Sequence, residues 1–428
     1  MSVADRFREL YGYEPEGVWA APGRVNLIGE YTDFNDGFVM PLALPHTAVA
    51  AVARRTDGVL RVHSADTGQG VYELAVDSLT PRPGAGWAAY PAGVVWALRD
   101  AGHPVTGADL HLSSTVPTGA GLSSSAALEV VTALALSELY GLGLPREELA
   151  RLAQRAENAF VGVPCGIMDQ MASACCTEGH ALHLDTRDLG RRQVPFDLAA
   201  QGLRLLVVDT GVQHALGDGT YAERRAGCEA GARALGVRTL REVEYAQLPD
   251  ALGRLAAGAA GAAGAAGAAG AAGAAGAAGA AGAAGAAGGV PGGAPDDRIR
   301  RYVRHVVTEN HRVGRTIALL DAGDVRGVGP VLTEGHLSLR DDLRVSCAEL
   351  DLVVRSANAA GALGARMTGG GFGGSAIVLA ETGDEDTVTK AVLDAFAAQG
   401  RAAPRVFPAV PSAGARRLSR DASPGGTP

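Results

Sequence analysis

Residues 117–127, PTGAGLSSSAA, combine the features of a loop that holds a phosphate group. Gly119 and Gly121 allow tight turns, and three serines follow where the apolar run ALEVVTALALSEL begins. That run is too long for a strand, so it predicts a buried helix from about Ser124 to Tyr140. The N-terminus of a helix presents free N–H groups and the positive end of its dipole, which suit a phosphate. A serine-capped core helix without a ligand is the alternative, and the stretch alone favours it.

A second polar stretch lies between two apolar, strand-like runs within residues 17–53. It contains Arg24, Glu30, Tyr31, Asp33 and Asp36 in or next to the turn EYTDFNDG. Polar groups placed between apolar strands are unfavourable unless they bind a ligand or one another. The alternative is a solvated hairpin tip with an incidental ion pair.

Two further carboxylates occur where predicted helices begin or end. Glu157 lies near the end of a helix predicted over 146–162, and Asp169 follows the turn VPCG at the head of GIMDQMASACC. An aspartate near a sugar hydroxyl can act as a general base, and a carboxylate beside a hydroxyl suits Mg²⁺. A helix cap for Asp169 and a solvated charge for Glu157 are the alternatives.

The composition excludes several classes of protein. The chain has 428 residues, enough for two domains, and a formal net charge of -8 with no basic block, so no nucleic-acid partner is expected. Five cysteines without a CxxC pair predict reduced thiols in a cytoplasmic protein and no zinc site. No signal peptide or membrane segment is expected. The single lysine, Lys390, is far from the glycine loop, which excludes a lysine-dependent P-loop.

The remaining elements predict two mixed domains. Residues 47–76 predict an antiparallel meander of short strands, and 88–101 a helix. A short buried strand over 203–211 is a plausible start for the second domain, which continues with a long helix from Asp297, a helical hairpin over 329–345 and a strand–glycine loop–strand unit over 362–380. We expect domains at 1–200 and 201–417. The Ala-Ala-Gly triplets predict a flexible insert over 256–295, and residues 418–428 a disordered tail.

Five motifs in order make the chain resemble the GHMP small-molecule kinases, and among them the galactokinases. They are APGRVNLIGEYTDFNDG, VPTGAGLSSSAALEV, GVPCGIMDQMAS, RHVVTEN and MTGGGFGGSAIVL, and the resemblance covers nearly the whole chain apart from the insert and the tail. It implies an α+β, two-domain GHMP kinase fold, with a ribosomal S5 domain 2-like N-terminal domain and a ferredoxin-like C-terminal domain. The activity it implies is phosphorylation of the anomeric hydroxyl of α-D-galactose by ATP with Mg²⁺.

The resemblance also implies a role for each matching residue. Asp169 matches the catalytic base and Arg24 the arginine that orients it. The sugar would be bound by Glu30, Tyr31, Thr32, Asp33, Gly166 and Tyr221. The nucleotide would be bound by Gly119, Ala120, Gly121, Leu122, Ser123, Ser124 and Ser125, with Ser64 nearby. Ser125 and Glu157 match the magnesium ligands. A monomer with galactose as its small-molecule partner is expected.

Two other functions remain open at this point. A GHMP kinase for another substrate is one, although mevalonate-type members tend to carry lysine where this chain has Arg24. A catalytically idle sugar sensor is the other, although such sensors are shortened within the SSSAA part of the loop, which is complete here. The chain departs from the usual GEHTDYN pattern by reading GEYTDFN, with Tyr31 in place of histidine, which affects the contacts near one sugar hydroxyl.

Overall fold

The computed structural model describes residues 2–81, 86–212, 217–257 and 295–419. Within these ranges the α-helices are α1 (Val3–Tyr11), α2 (Ala89–Asp100), α3 (Ser124–Leu139), α4 (Arg146–Arg155), α5 (Met168–Cys175), α6 (Gly217–Leu235), α7 (248–257), α8 (Pro295–Asp321), α9 (Val328–Ser338), α10 (Ala348–Ala359) and α11 (Glu385–Ala398). The strands are β1 (Gly17–Asn26), β2 (Phe38–Val39), β3 (Pro41–Arg54), β4 (Val59–Ser64), β5 (Tyr72–Ala75), β6 (Ala108–Ser114), β7 (His180–Asp185), β8 (Arg191–Pro195), β9 (Leu203–Asp209), β10 (Gly364–Thr368), β11 (Ser375–Glu381), β12 (Arg405–Pro408) and β13 (Arg416–Leu418).

The N-terminal domain is organised around a six-stranded sheet with the order β13-β1-β3-β6-β4-β5. The predicted antiparallel meander over residues 47–76 is only partly present. β4 and β5 are antiparallel neighbours, but β4 pairs with β6 in parallel rather than with β3. Both edges of β3 are already occupied by β1 and β6, so the following strand must pair elsewhere.

Helix α3 lies at the centre of this domain, where it packs on β1, β3, α2, α4 and α5. Its predicted start at Ser124 is confirmed, and it ends at Leu139, one residue before the predicted end. A helix that is apolar on all sides must be buried on all sides, which explains the composition of the run after the serines. The loop that precedes α3 is thereby fixed to the core of the domain.

The C-terminal domain contains an antiparallel sheet with the order β10-β11-β9-β12. Its first strand begins at Leu203, close to the expected boundary after residue 200. The predicted helical hairpin over 329–345 is wrong, because α9 continues directly into a π-helical segment, Leu339–Leu343. The stretch HLSLRDDL has no glycine or proline to end the helix, and the chain turns only at Arg344, which has φ 56°.

The end of the described chain returns to the N-terminal domain. Arg416, Arg417 and Leu418 form β13, which pairs with β1 at the edge of the six-stranded sheet. The predicted disordered tail over 418–428 is therefore wrong for Leu418, and residues 420–428 lie outside the described residues. The predicted boundary at 417 likewise assigns part of an N-terminal-domain strand to the second domain.

Most of the predicted insert over 256–295 also lies outside the described residues. Residues 256 and 257 lie in α7, and Pro295 is the first described residue of α8. All five cysteines carry free thiols. Among the helices of the described residues, none has the length and apolar character to cross a membrane.

Candidate functional site

Asp169, Arg24 and Ser123 form one hydrogen-bonded cluster at the junction of β1, α3 and α5. Asp169 Oδ1 accepts hydrogen bonds from Arg24 Nε at 2.8 Å and Nη2 at 2.6 Å. Its Oδ2 accepts one from the Ser123 hydroxyl at 2.6 Å. Arg24 is buried, whereas the Asp169 side chain keeps 26% of its surface exposed. The aspartate is therefore held in a fixed orientation while one side of it still faces the cavity described below.

The loop before α3, which was predicted to bind phosphate, is held by both domains. Ser123 precedes the first turn of α3 with φ 59°, and its hydroxyl does not cap the helix because it is bonded to Asp169. Arg24 Nη1 donates to the Gly121 carbonyl at 2.7 Å, and the Ser375 hydroxyl of the C-terminal domain donates to the Ala120 carbonyl at 2.8 Å. Carbonyl groups of the loop are thus used for anchoring, and the N-terminus of a 16-residue helix remains directed at the loop.

A cavity of about 250 Å³ opens beside this cluster. It brings together residues from the polar turn, from the segment before α5, from α6 and from the glycine loop after β10. Its lining includes Arg24, Glu30, Tyr31, Asp33, Glu157, Cys165, Gly166, Asp169, Tyr221, Gly369 and Gly370. The volume suits a small polar molecule rather than a polymer.

Comparisons with known proteins identify the family of this chain. Residues 89–177 match the model described as GHMP kinases N terminal domain, 316–398 match GHMP kinases C terminal, and 5–54 match the galactokinase galactose-binding signature. The chain is 63% identical to the galactokinase of Streptomyces coelicolor over 417 residues, which covers 97% of this chain and 98% of that protein. The chain belongs to the galactokinase family.

Other relatives of the galactokinase family agree with this assignment. The galactokinase of Roseiflexus sp. is 39% identical over 429 residues, covering 99% of this chain and 98% of that protein. The crystal structure of Lactococcus lactis galactokinase complexed with galactose superposes with a TM-score of 0.83 at 28% identity, over 97% of this chain and 99% of that one. Methanococcus jannaschii mevalonate kinase, with a TM-score of 0.57 and 17% identity over 94% and 98% of the two chains, shares the fold. The predicted α+β, two-domain GHMP kinase fold is confirmed.

Most of the residues predicted to bind the sugar, from the resemblance to galactokinases, line this cavity. The hydroxyl of Tyr31, however, is bonded to the protein backbone. Tyr31 has the left-handed φ of 65°, and its hydroxyl donates to the Gly370 carbonyl at 2.6 Å. Its ring packs against Phe34 and Tyr221, with centroid separations of 6.1 and 5.3 Å. Tyr31 therefore joins the polar turn to the C-terminal domain and offers the cavity mainly an aromatic surface.

Thr32 and Ser64 do not line this cavity. The Thr32 hydroxyl is fully buried and lies 2.7 Å from the carbonyl oxygens of both Gly29 and Phe38, so it stabilises the turn. Ser64 lies at the end of β4 and lines a separate cavity of about 420 Å³ together with His63 and His111. The Nδ1 atoms of those two histidines are 3.0 Å apart, a pair brought together by the parallel pairing of β4 with β6.

Glu30 belongs to a buried ion network that sequence reasoning did not identify. Arg366 contacts Glu30 through Nη2 and Glu309 through Nη1, the latter at 2.9 Å, and Arg312 Nε donates to Glu309 at 2.7 Å. Burial raises the pKa of Glu30 to about 7 against the opposing charge of Arg366. Burial alone would raise the pKa of Glu309, but Arg366 and Arg312 hold it well below its usual range. The motifs RHVVTEN and RMTGGG contain Glu309 and Arg366, but nothing in their spacing indicated this pairing.

The Asp33 carboxylate packs closely against Gly166 in the lining of the cavity. Burial, followed by the charge of Asp169, raises the pKa of Asp33 to about 6. A Cβ atom on Gly166 would lie 1.7 Å from Asp33 Oδ2. Glycine is therefore required here so that the carboxylate can keep its place.

Gly166→Ala is expected to raise the KM for the sugar at least about tenfold, because the methyl group must displace the Asp33 carboxylate and remove one charge-assisted hydrogen bond. The KM for ATP should change little. Steady-state kinetics with each substrate varied in turn measures both. Gly314→Ala in α8, where a Cβ meets nothing within 4 Å, is the matched control. An unchanged sugar KM in Gly166→Ala would contradict a sugar-binding role for Asp33.

The residues predicted to hold Mg²⁺ fit a divalent cation. Glu157 lies on a π-helical turn, Ala156–Val161, and is almost fully buried beside the Ser125 hydroxyl. Burial, together with Asp169, raises its pKa. Two nearby buried oxygens, Glu129 Oε1 and Gln170 Oε1, have no hydrogen-bond partner in the described part of the chain. Such a set of under-used oxygens beside a hydroxyl and a carboxylate suits a hard cation.

In that part of the chain no three His, Cys, Asp or Glu side chains converge on one point as metal ligands. Mg²⁺ commonly binds through one or two carboxylates together with substrate phosphates, so a larger protein cluster is not required.

Proposed function

We propose that this chain transfers the γ-phosphoryl group of ATP to the anomeric hydroxyl of α-D-galactose, giving galactose 1-phosphate and ADP. The observation that carries the proposal is the position of Asp169. It is fixed by Arg24 and Ser123 at the point where the phosphate loop meets the cavity lined by Glu30, Asp33 and Tyr221. Membership of the galactokinase family supports both the reaction and ATP as the co-substrate. The Lactococcus lactis galactokinase complexed with galactose supports the sugar.

Asp169 acts as the general base in this mechanism. Its carboxylate takes the proton of the anomeric hydroxyl, the sugar oxygen forms a bond to the γ-phosphorus, and the bond from that phosphorus to the β,γ-bridging oxygen breaks to release ADP. Arg24 keeps the Asp169 carboxylate oriented through the contacts of Nε and Nη2 with Oδ1. Phosphoryl transfer depends mainly on positioning and charge stabilisation, and the buried guanidinium beside the loop supplies both.

Sugar recognition is assigned to the polar residues of the same cavity. Glu30 and Asp33 are carboxylates that can accept hydrogen bonds from sugar hydroxyls, and Tyr221 adds an aromatic face. Gly166 leaves room for Asp33, and Thr32 shapes the turn that carries both carboxylates. The backbone of Gly119–Ser125 at the start of α3 is assigned to the phosphates, and Ser64 to the nucleotide.

Ser125 and Glu157 are assigned to Mg²⁺. Bound there, the cation would neutralise charge on the phosphates of the nucleotide. The support is the contact between the two side chains, the burial of Glu157 and the nearby oxygens that have no partner in the described residues.

We further propose that the protein acts as a monomer in the cytoplasm without a nucleic-acid or membrane partner. The support is the set of five free thiols, which suits a reducing compartment, and the formal net charge of -8 with no basic block.

The test is an assay of ADP release with ATP, Mg²⁺ and a panel of acceptors: galactose, galactosamine, 2-deoxygalactose, glucose, mevalonate and homoserine. We expect galactose to give the highest kcat/KM. A comparison of galactose with its 2-substituted analogues reports on the surface that Tyr31 presents. Preferred turnover of mevalonate or homoserine would overturn the substrate assignment. Galactose binding by calorimetry without any turnover would indicate a sensor instead.

A further inference from the structure

The side-chain amide of Gln170 joins two buried glutamates next to the proposed cation ligands. Its Nε2 donates to Glu157 Oε2 at 2.7 Å and to Glu129 Oε2 at 3.1 Å. Gln170 and Glu129 are fully buried, and Glu157 is 5% exposed. One oxygen of Gln170 and one of Glu129 lack a hydrogen-bond partner in the described structure. Buried polar groups are normally satisfied, so an arrangement that leaves two oxygens unpaired opposes folding.

This amide bridge connects α3 and α5, the helices on which Ser125 and Asp169 lie. Glu129 follows Ser125 by four residues on α3, so both side chains lie on one face of that helix. Gln170 follows Asp169 directly at the start of α5. The two helices pack against each other in the core of the N-terminal domain. The bridge therefore fixes the separation between the predicted base and the predicted cation ligand.

We propose that Gln170 is a positioning residue: its amide, which also donates to Glu129, fixes the Glu157 carboxylate for the divalent cation. The inference rests on the cation-binding role of Glu157 proposed above. Without the amide, the Glu157 carboxylate would keep a weak contact from the Cys165 thiol at 3.4 Å and its interactions with the Ser125 hydroxyl and the Glu129 carboxyl, none of which holds it as closely as the 2.7 Å bond from Gln170. Residues that orient a metal ligand commonly change metal affinity by about 10- to 100-fold when they are replaced.

The role predicts a loss of cation binding without a matching loss of stability. Glu129→Leu removes a buried polar group with an unpaired oxygen and keeps an apolar side chain in the core, but it also leaves one N–H of Gln170 without an acceptor. These two effects on stability oppose each other, so we expect a Tm close to that of the wild type. The same change releases one side of the Gln170 amide and should weaken cation binding. A residue with only a packing role would not give this combination.

The experiment is calorimetric titration of the full chain with ADP, in excess Mg²⁺ and in EDTA. The quantity compared is the gain in ADP affinity that Mg²⁺ produces. We expect Gln170→Leu and Glu129→Leu to reduce this gain about tenfold while the affinity for ADP in EDTA stays near the wild-type value. Glu129→Gln, which keeps an acceptor oxygen for Gln170, should recover most of the gain.

Gln193→Leu is the matched control. Gln193 also donates through Nε2 to the end of α5, at 2.7 Å from the Cys175 carbonyl, and its Oε1 also has no partner in the described part of the chain. Its replacement should leave the Mg²⁺ gain unchanged. An unchanged gain in Gln170→Leu, an equal loss in EDTA, or an equal loss in Glu129→Gln and Glu129→Leu would each overturn the inference. The titration contains no sugar, so an error in the proposed sugar substrate would appear only in the acceptor panel.

Discussion

Asp169→Asn is expected to lower kcat for galactose phosphorylation about 1,000-fold, within the range that a positioned general base contributes. Asparagine keeps the shape of the side chain and one acceptor oxygen for Arg24, so the fold and the cavity should persist. The KM values for galactose and ATP should stay within a few-fold of the wild type, because the lost function is the acceptance of a proton rather than binding. Steady-state ADP release and galactose titration by calorimetry measure both quantities.

Asp185→Asn is a closely matched control for that experiment. Asp185 also pairs with an arginine, Arg241, at 3.3 Å, and its side chain has a similar exposure of 23%. This variant should keep wild-type kcat. Arg24→Gln should lower kcat by a smaller factor when it is added to Asp169→Asn than when it is made alone, because part of the role of Arg24 is to orient that carboxylate. Retention of a tenth or more of wild-type kcat in Asp169→Asn would contradict its role as the base.

The parts of the site that could be predicted from the sequence are those contained in short motifs. The loop before α3 is defined by glycines and serines that are adjacent in sequence, and the buried helix after it by a single apolar run. The turn with Glu30, Tyr31 and Asp33 was equally local. These features depend on backbone geometry and burial over about a dozen neighbouring residues, which residue types report directly.

The ion pairs and side-chain hydrogen bonds of the site could not be predicted in this way, because they depend on contacts between distant parts of the chain. Arg366 and Glu30 are 336 residues apart, and no local rule connects a strand residue in the second domain with a turn in the first. Tyr31 and Ser123 were assigned to the sugar and the nucleotide by motif match, but nothing in the motifs indicated that their hydroxyls donate to the Gly370 carbonyl and to Asp169. A side chain with several potential partners chooses among them by tertiary geometry, so its hydrogen bond cannot be read from residue type.

Arg366→Met is expected to cause the largest loss of stability of any single substitution in the sugar-binding region. Arg366 is fully buried and contacts two fully buried carboxylates, so its removal leaves Glu30 without a cation partner and Glu309 with Arg312 alone. Breaking a buried ion pair in this way commonly costs about 3–5 kcal/mol of unfolding free energy. Urea denaturation, with the midpoint and slope fitted separately, measures the loss.

The stability deficit of Arg366→Met should also depend on pH. Arg366 opposes the effect of burial on Glu30, so its removal raises the pKa of Glu30 above the wild-type value of about 7. A group whose folded pKa is raised favours the folded state below its unfolded pKa, and this contribution is lost as pH rises through the folded pKa. The deficit should therefore be smaller at pH 5, where Glu30 can take up a proton, than at pH 8.

A matched control separates this effect from the general loss of an arginine that pairs with glutamate in the second domain. Arg315 on α8 pairs with Glu334 on α9 through two contacts of 2.5 and 3.3 Å, but both side chains are more than 40% exposed. Because water screens such a pair, Arg315→Met should change stability far less and without the same pH dependence. Adding Glu309→Gln to Arg366→Met should not restore stability, since Arg312 would then lose its partner as well. Equal losses in Arg366→Met and Arg315→Met would show that the buried network does not hold the two domains around the sugar site.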